Sequence, residues 1–377
     1  MERQVLSERD GDKLVIGVSS VSLEGFRNYS QLFLELNAGF NVLTGPNAQG
    51  KTNFLESLYL LSTTRLLRGQ RDVEAIREGS SKATVSAQTF QFDSRLTVVL
   101  ERGIRKRALL NGVSLPRAAD LIGRLPTVCI STADLEIVRG DPAERRMFLD
   151  LELSSLSPGY LRHLSLYKRA LEQRNALLRE SKEHMQPPAT FEPWETQLAH
   201  HGTGMRTARL EYVGRLQVPT AKSHSLMGDG EEIGLEYLVR DEASTEEELL
   251  EALSKSRHHD VCRGGTSVGP HRDDLSIDVG GRDARLYGSQ GQQRTAVISL
   301  KLATLEVARE ELGAPSLLLL DDILSDLDEH RRRRLVDIVA DRAAQAVLTC
   351  TEASAAGERI LDVARVFSVR AGEVTQE

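Results

Sequence analysis

Three groups of residues in this chain have the types and spacing that phosphate chemistry requires. Residues 45–52 read Gly45-Pro46-Asn47-Ala48-Gln49-Gly50-Lys51-Thr52, the full GxxxxGKT pattern, with Asn53 next in line. Its glycines let backbone N–H groups curl around phosphate oxygens, and the helix that follows points its positive end at the same anion. Lys51 supplies a charge for the outer phosphate oxygens and the Thr52 hydroxyl a ligand for Mg²⁺. A merely glycine-rich turn would leave the lysine and threonine without a purpose. The second group is "SLLLLDDILSDLD", residues 316–328. Four leucines predict a buried parallel strand, and Asp321 falls at its carboxyl end, where ligands of α/β sheets bind. Asp321 is therefore the candidate Mg²⁺ carboxylate. Asp322 beside it is the candidate catalytic group that orients or deprotonates an attacking water.

The third group, Ser289-Gln290-Gly291-Gln292, lies in "YGSQGQQR" and runs straight into a helical stretch. A hydroxyl, a flexible glycine and a helix N-terminus make a second anion site. Together the three groups resemble the ABC-type ATPases, whose signature usually runs Ser-Gly-Gly-Gln. On that resemblance the loop closes over a nucleotide held by a partner subunit, and residues 325–328, "SDLD", communicate across the interface.

Positioning these groups takes a sizeable mixed scaffold. The 377 residues exceed one ordinary core and predict two lobes, and the composition, 40% apolar and 27% charged, is that of a soluble globular chain. No apolar run approaches the length of a membrane span. The start, "MERQVLSERDGDK", lacks the apolar stretch of a secretory signal and reads as a short frayed extension. Cys129, Cys262 and Cys350 are scattered, which argues against a disulfide framework or a zinc site and fits a reducing cytoplasm. The net charge of −7 does not preclude a basic face. Arginine and lysine cluster at residues 65–71, 102–107 and 331–334, where a solvated face competes with phosphate binding.

Alternation over residues 14–36 predicts two strands joined near Arg27, and residues 40–43 a third that ends at the glycine loop. Residues 52–67 read as a helix with Phe54, Leu55, Leu58, Leu61 and Leu66 on its apolar face. Strands follow at residues 83–92 and 95–103, then a hairpin turning at Asn111-Gly112. From about Pro142 to Asp260 the pattern is helical. Tyr160, Leu164, Tyr167, Leu171 and Leu178 form a seam for a long antiparallel helix pair, interrupted by Pro187-Pro188 and "FEPWE". The acidic run at residues 246–251 reads as a solvated helix face. Leu275, Ile277 and Val279 return to strand alternation. The fold class predicted is α/β, a P-loop ABC-type head with an inserted helical lobe. Residues 1–135 and 263–377 form the two parts of the ATPase lobe and residues 136–262 the insertion.

Several stretches resemble the RecF family of bacterial DNA replication and recombination-repair proteins. They are "LEGFRNY" (23–29), "GPNAQGKTNFLESLYLL" (45–61), "DLEIVRGDPAERRMFLD" (134–150), "GPHRDDL" (269–275), "YGSQGQQRT" (287–295) and "LLLLDDILSDLD" (317–328). The resemblance implies an SMC-like head without a long coiled coil, binding ATP and Mg²⁺. It also implies an ATP-dependent homodimer on double-stranded DNA with preference for gaps, and slow DNA-stimulated hydrolysis. RecR and RecO are the implied partners, helping RecA replace single-strand-binding protein. Where the family has Pro-Glu before Asp134-Leu135, this chain has Ser131-Thr132-Ala133; a switch histidine is replaced by Thr349 or Thr351.

Two readings of "GPHRDDL" stand side by side. It is a structural turn with Arg272 paired to Asp273 or Asp274, or it places His271 and Arg272 at a dimer or DNA face. Arg145 and Arg146 are read as orienting the lobe junction. A transporter energy subunit would carry a glutamate after Asp321 and a switch histidine, and this chain has neither. An SMC-type tether needs a far longer insertion, at 1.5 Å per helical residue.

Overall fold

The computed structural model describes residues 16–67, 71–184, 186–228 and 230–377. The extension at residues 1–13 and the middle of the 65–71 basic stretch lie outside the described residues. The chain opens with β1 (Val18–Phe26), β2 (Tyr29–Glu35), β3 (Phe40–Thr44), α1 (Lys51–Thr63), β4 (Lys82–Thr89), β5 (Arg95–Glu101), β6 (Ile104–Leu110), β7 (Val113–Ser114) and β8 (Thr127–Ser131). A helical part follows: α2 (Glu136–Arg139), α3 (Pro142–Leu156), α4 (Pro158–Glu180), α5 (Pro188–Met227), β9 (Ile233–Leu238) and α6 (Glu246–Arg263). The last part holds β10 (Asp274–Val279), β11 (Arg282–Asp283), α7 (Ala284–Tyr287), α8 (Gln290–Leu312), β12 (Leu317–Asp321), α9 (Glu329–Arg342), β13 (Ala346–Thr349), α10 (Glu358–Leu361), β14 (Arg365–Arg370) and β15 (Glu373–Gln376).

Two sheets sandwich α1. One is antiparallel, in the order β2-β1-β4-β5-β6-β7; the other runs β15-β14-β3-β13-β12-β8. In the second, β14, β3, β13, β12 and β8 are parallel neighbours, so their carboxyl ends come out together. Successive leucines of β12 explain why it reads as unbroken apolar sequence. Leu317 and Leu319 pack with Phe54, Leu55, Leu58 and Leu61 of α1. Leu318 and Leu320 pack on the other face against Ile298, Leu302 and Leu305 of α8. Fully burying each such side chain stabilises by about 1.5–3 kcal/mol. The second lobe has its own core of α3–α6, β9 and β10, and the opposite face of α8 completes it through Ala296, Val297, Leu300, Ala303 and Val307. Helix α8 therefore belongs to both lobes.

Three expectations change. The helix after the glycine loop ends at Thr63, because Thr64 takes a left-handed cap conformation; Leu66 is buried beyond it. "FEPWE" does not interrupt the second long helix. Pro188 opens α5, and Pro193 and Pro219 both lie inside it. Each lost N–H is tolerated because buried faces of α4, α6 and α8 hold the helix from outside. Finally, the strand of Leu275, Ile277 and Val279 joins the insertion, not the ATPase sheet: β10 pairs antiparallel with β9 across the boundary drawn at residue 262. The acidic run does open α6, where Thr245 and Glu248 form a capping box.

Candidate nucleotide site

The glycine loop leaves β3 at the centre of the parallel sheet and ends on the first turn of α1. Gly45 has φ 133°, and a Cβ there would stand 2.4 Å from the Val369 carbonyl oxygen. At Gly50, φ 120°, a Cβ would meet the Asn28 amide at 2.6 Å. Only glycine fits either position. The backbone N–H groups of Asn47, Ala48, Gln49 and Gly50 donate to nothing among the described residues. Four unused donors in one turn, at the end of a helix without acidic residues in its first turn, form an anion nest.

The outer side of the loop is held by residues whose role the sequence did not reveal. Asn28, in the β1–β2 turn, donates to the Gln49 carbonyl at 2.8 Å and accepts from Asn53 at 2.8 Å. The Tyr29 hydroxyl donates to the Gly50 carbonyl at 2.9 Å. From the far edge of the sheet, Gly372 N–H reaches the Gln49 carbonyl at 3.0 Å, and Ala371 N–H the Gln49 side chain at 2.8 Å. Arg27 pairs with Glu56 of α1 at 2.7 Å. The turn "FRNY" and the C-terminal hairpin therefore clamp the loop from behind, with its carbonyls turned to them.

Lys51 lies across the loop, its Nζ donating to the Gly45 and Pro46 carbonyls at 2.6 and 2.8 Å. Burial pulls its pKa below lysine's ordinary value, against the opposing fields of Asp322, Cys350 and Asp321. The Thr52 hydroxyl donates to Asp321 Oδ1 at 2.8 Å. Asp321 is buried between β13 and β8, in register with Thr349 and Ser131. A hydroxyl and a carboxylate oxygen converging beside an anion nest are the hard-donor set that Mg²⁺ takes, with phosphate oxygens and water completing its shell.

Thr349 is the buried bracket of this half. Its hydroxyl donates to Asp321 Oδ1 at 3.1 Å and accepts from the Asp322 amide at 2.9 Å. Asp322 is held in a left-handed conformation, φ 51°, and accepts from Ser325 at 2.8 Å. Of the two threonines offered for the missing histidine, Thr349 makes these contacts, whereas Thr351 contributes its carbonyl to Gly45 N–H at 3.3 Å. Ser131 forms a capping box with Asp134, at 2.6 Å from its amide and 2.9 Å from its hydroxyl.

The signature loop is built differently. Ser289 caps α8: its hydroxyl accepts from Gln292 N–H at 3.2 Å, and the Gln292 side chain accepts from Ser289 N–H at 2.6 Å. Gln292 also reaches Glu231 at 2.6 Å, and Gly291 lies against Arg331, whose guanidinium would be 3.2 Å from a Cβ. Ser289 and Gln290 are exposed, and the preceding Leu286 and Tyr287 are each 69% exposed. Among the described residues no hydrogen bond joins residues 289–292 to residues 45–53. The link to the other half is indirect. Arg294 of α8 donates to the Asp326 carbonyl at 3.1 Å, in the "SDLD" loop that follows Asp322.

"GPHRDDL" is a joint inside the second lobe, but with other partners than the adjacent ones. Arg272 donates to the Thr266 carbonyl at 2.7 Å and not to Asp273 or Asp274. Asp273 is bound by Arg206 and Tyr237 from α5 and β9, at 2.8 Å each, and Asp274 by Arg145 of α3 at 2.7 Å. Arg146 donates to the Asp273 carbonyl at 2.8 Å. His271 is held between the Tyr167 hydroxyl at 2.6 Å and the Thr266 carbonyl at 3.0 Å. Burial pushes its pKa down to about 4.

Comparison with known proteins agrees with this architecture. The RecF/RecN/SMC N terminal domain matches residues 17–375. The DNA replication and repair protein RecF of Symbiobacterium thermophilum is 40% identical over 369 residues, covering 95% of this chain and 97% of the relative. The chain belongs to the RecF family. RecF of Lachnoclostridium phytofermentans is 37% identical over 359 residues, covering 95% of this chain and 99% of its own. The solved structure of the recombination mediator protein RecF with ATP in the RecFOR pathway superposes with a TM-score of 0.89 at 30% identity, covering 98% of this chain and 100% of its own. The Smc head domain of Pyrococcus furiosus, 15% identical with a TM-score of 0.55 over 96% of each chain, shares the fold. The RecF family is one of DNA replication and repair proteins with an ATP-binding, SMC-like ATPase head. No helix among the described residues is long and apolar enough to cross a membrane.

Proposed function

We propose that this protein is an ATP-switched clamp on double-stranded DNA, acting in recombinational repair and replication restart. Residues 45–53 bind the nucleotide through the anion nest, with Lys51 on the outer phosphates. Thr52 and Asp321 would hold Mg²⁺, which supplies charge neutralisation at the phosphates. Asp322 orients or deprotonates the attacking water, and Thr349 fixes the backbone that carries it. Ser289, Gln290, Gly291 and Gln292 act on the nucleotide of a second copy. The observation that carries this reading is the contrast between an exposed, self-capped signature loop and a P-loop it does not contact.

ATP is then the bond between two subunits, and its hydrolysis opens them, so turnover is a slow, DNA-stimulated timer. The ATPase lobe comprises residues 1–135 and 263–377 and the helical lobe residues 136–262, with β10 packing on the latter. Gapped duplexes are the preferred substrate, RecR and RecO the partners, and RecA loading in the cytoplasm the outcome. Kinship with RecF of the RecFOR pathway supports this part. Analytical ultracentrifugation tests the reading. ATP plus a gapped duplex shifts the wild-type monomer to a dimer, and a sedimentation coefficient indifferent to ATP overturns it.

A further inference from the structure

The three basic clusters of the sequence fare unequally in the fold. In the run at residues 331–334, Arg331 pairs with Asp328, Arg333 with Glu329, and Arg334 donates to the Gly228 carbonyl. Two of those four charges are therefore already paired with carboxylates, and a third is tied to a backbone carbonyl. Elsewhere, a groove of about 390 Å³ opens between the antiparallel sheet and the helical lobe. One wall carries Arg105 and Lys106 of β6 and Arg117, and Ser165 of α4 forms the other. Lys106 is anchored to Asp72 at 3.0 Å and the Thr64 carbonyl at 2.6 Å, and Arg117 to Asp120 at 2.7 Å. Arg105 has no ion pair or hydrogen bond for its side chain among the described residues.

Helix α4 adds cations that no sequence cluster announced. Arg162 and Arg169 stand three residues before and four after Ser165, on the same helix face. Both are exposed and, like Arg65 next to the groove-lining Thr64, have no side-chain partner among the described residues. Glu172, three residues after Arg169, has no ion pair among the described residues. Arg162 and Arg169 are separated by about 10 Å along the helix, which is about three base-pair steps of one DNA strand.

We propose that this inter-lobe groove is the track for one phosphate backbone of duplex DNA, with Arg65, Arg105, Arg162 and Arg169 as its contacts. The proposal rests on the DNA-clamp reading and names the surface it uses. Cations without a protein partner are those that can release counterions on binding phosphate. None of the residues lining the groove is aromatic. Single strands are held by stacking on aromatic side chains, so the lining fits a duplex backbone and sequence-independent contact. The groove also touches the ATP machinery. Its Thr64 caps α1, whose first residue is Lys51, about 20 Å away along a 13-residue helix.

The test is fluorescence anisotropy with a labelled 30-base-pair duplex, ATP present, across a salt series. The triple variant Arg105→Gln, Arg162→Gln, Arg169→Gln is expected to lower the slope of log K against log[salt] by about 3, close to 0.9 for each phosphate no longer neutralised. Duplex affinity should fall at least 100-fold, with ATP binding and the thermal melt unchanged. The control, Arg333→Gln with Arg359→Gln, removes two arginines already paired with carboxylates and keeps the wild-type slope. A triple variant with the wild-type slope overturns the proposal, as does loss of binding confined to a 30-nucleotide single strand. Wild-type protein that binds neither probe sinks the DNA reading, and this proposal with it.

Discussion

The two halves of the candidate ATP site are built to opposite plans. The P-loop half is a closed network: Asn28, Tyr29 and Gly372 hold the loop from behind, and Thr52, Asp321 and Thr349 share hydrogen bonds at 2.8 and 3.1 Å. The signature half caps itself, sits in solvent, and has Leu286 and Tyr287 exposed beside it. A site meant to work within one chain would bury and cross-link both halves. The difference teaches that the fold fixes one half through distant partners and leaves the other exposed and bonded mainly to itself.

The harshest way to break the comparison is to remove the charge from the finished half. Lys51→Met should weaken ATP binding by about 2–5 kcal/mol, roughly 30-fold or more, as truncating one member of a hydrogen-bonded charge pair does. Calorimetric titration checks this. The thermal melt should stay near wild type, since Lys51 bonds only loop carbonyls.

Acid probes the lobe that supports the signature half. His271 has its pKa pushed from 6.5 down to about 4 by burial, so the unfolded chain takes up a proton that the folded chain refuses. Its contribution to stability is complete above pH 6.5 and is lost as pH falls towards 4, on the order of 3 kcal/mol. Urea unfolding of wild type and His271→Gln at pH 7 and pH 5 should show the wild type losing more stability, the glutamine retaining a donor for Thr266. Equal losses would mean the imidazole is not shielded.

Thr349→Val sharpens the picture of the finished half. It removes the hydroxyl between Asp321 and the Asp322 amide, leaving a partly buried amide short of a partner, at about 1 kcal/mol. Hydrolysis should fall more than ATP affinity, measured by phosphate release against titration. The smallest effect belongs to the cap. Ser289→Ala should cost about 1 kcal/mol of helix stability in the thermal melt while leaving ATP binding to the monomer untouched.

What was legible in the sequence was what lies close along the chain. The loop from Gly45 to Thr52 is contiguous, and Asp321 follows four leucines whose burial on both faces is written in their unbroken run. Ser289 and Gly291 stand directly before a helical run, so the loop and its helix were readable, while the cap made with Gln292 was not. What stayed hidden depends on distant partners. Asn28 and Gly372 meet over Gln49 from opposite ends of the chain, and although Asn28 lies in a stretch with a family resemblance, nothing local tells that it holds the loop. Arg272 sits next to two aspartates yet bonds Thr266, because Asp273 and Asp274 are claimed by Arg206 and Arg145, 67 and 129 residues away. Pro193 and Pro219 look like breaks, but packing on several sides overrides their local preference. Thr349 was one of two candidates, and only strand register with Asp321 distinguishes it from Thr351.

Whether a nucleotide held by one copy is completed by the signature of another can be tested by mixing variants. Lys51→Met keeps an intact signature and lacks a working P-loop; Ser289→Arg keeps the P-loop and blocks the signature. Sedimentation with ATP should find each variant alone monomeric, and an equimolar mixture forming a dimer through its one intact composite site. A mixture that stays monomeric while wild type pairs, or Ser289→Arg pairing normally by itself, would contradict the account.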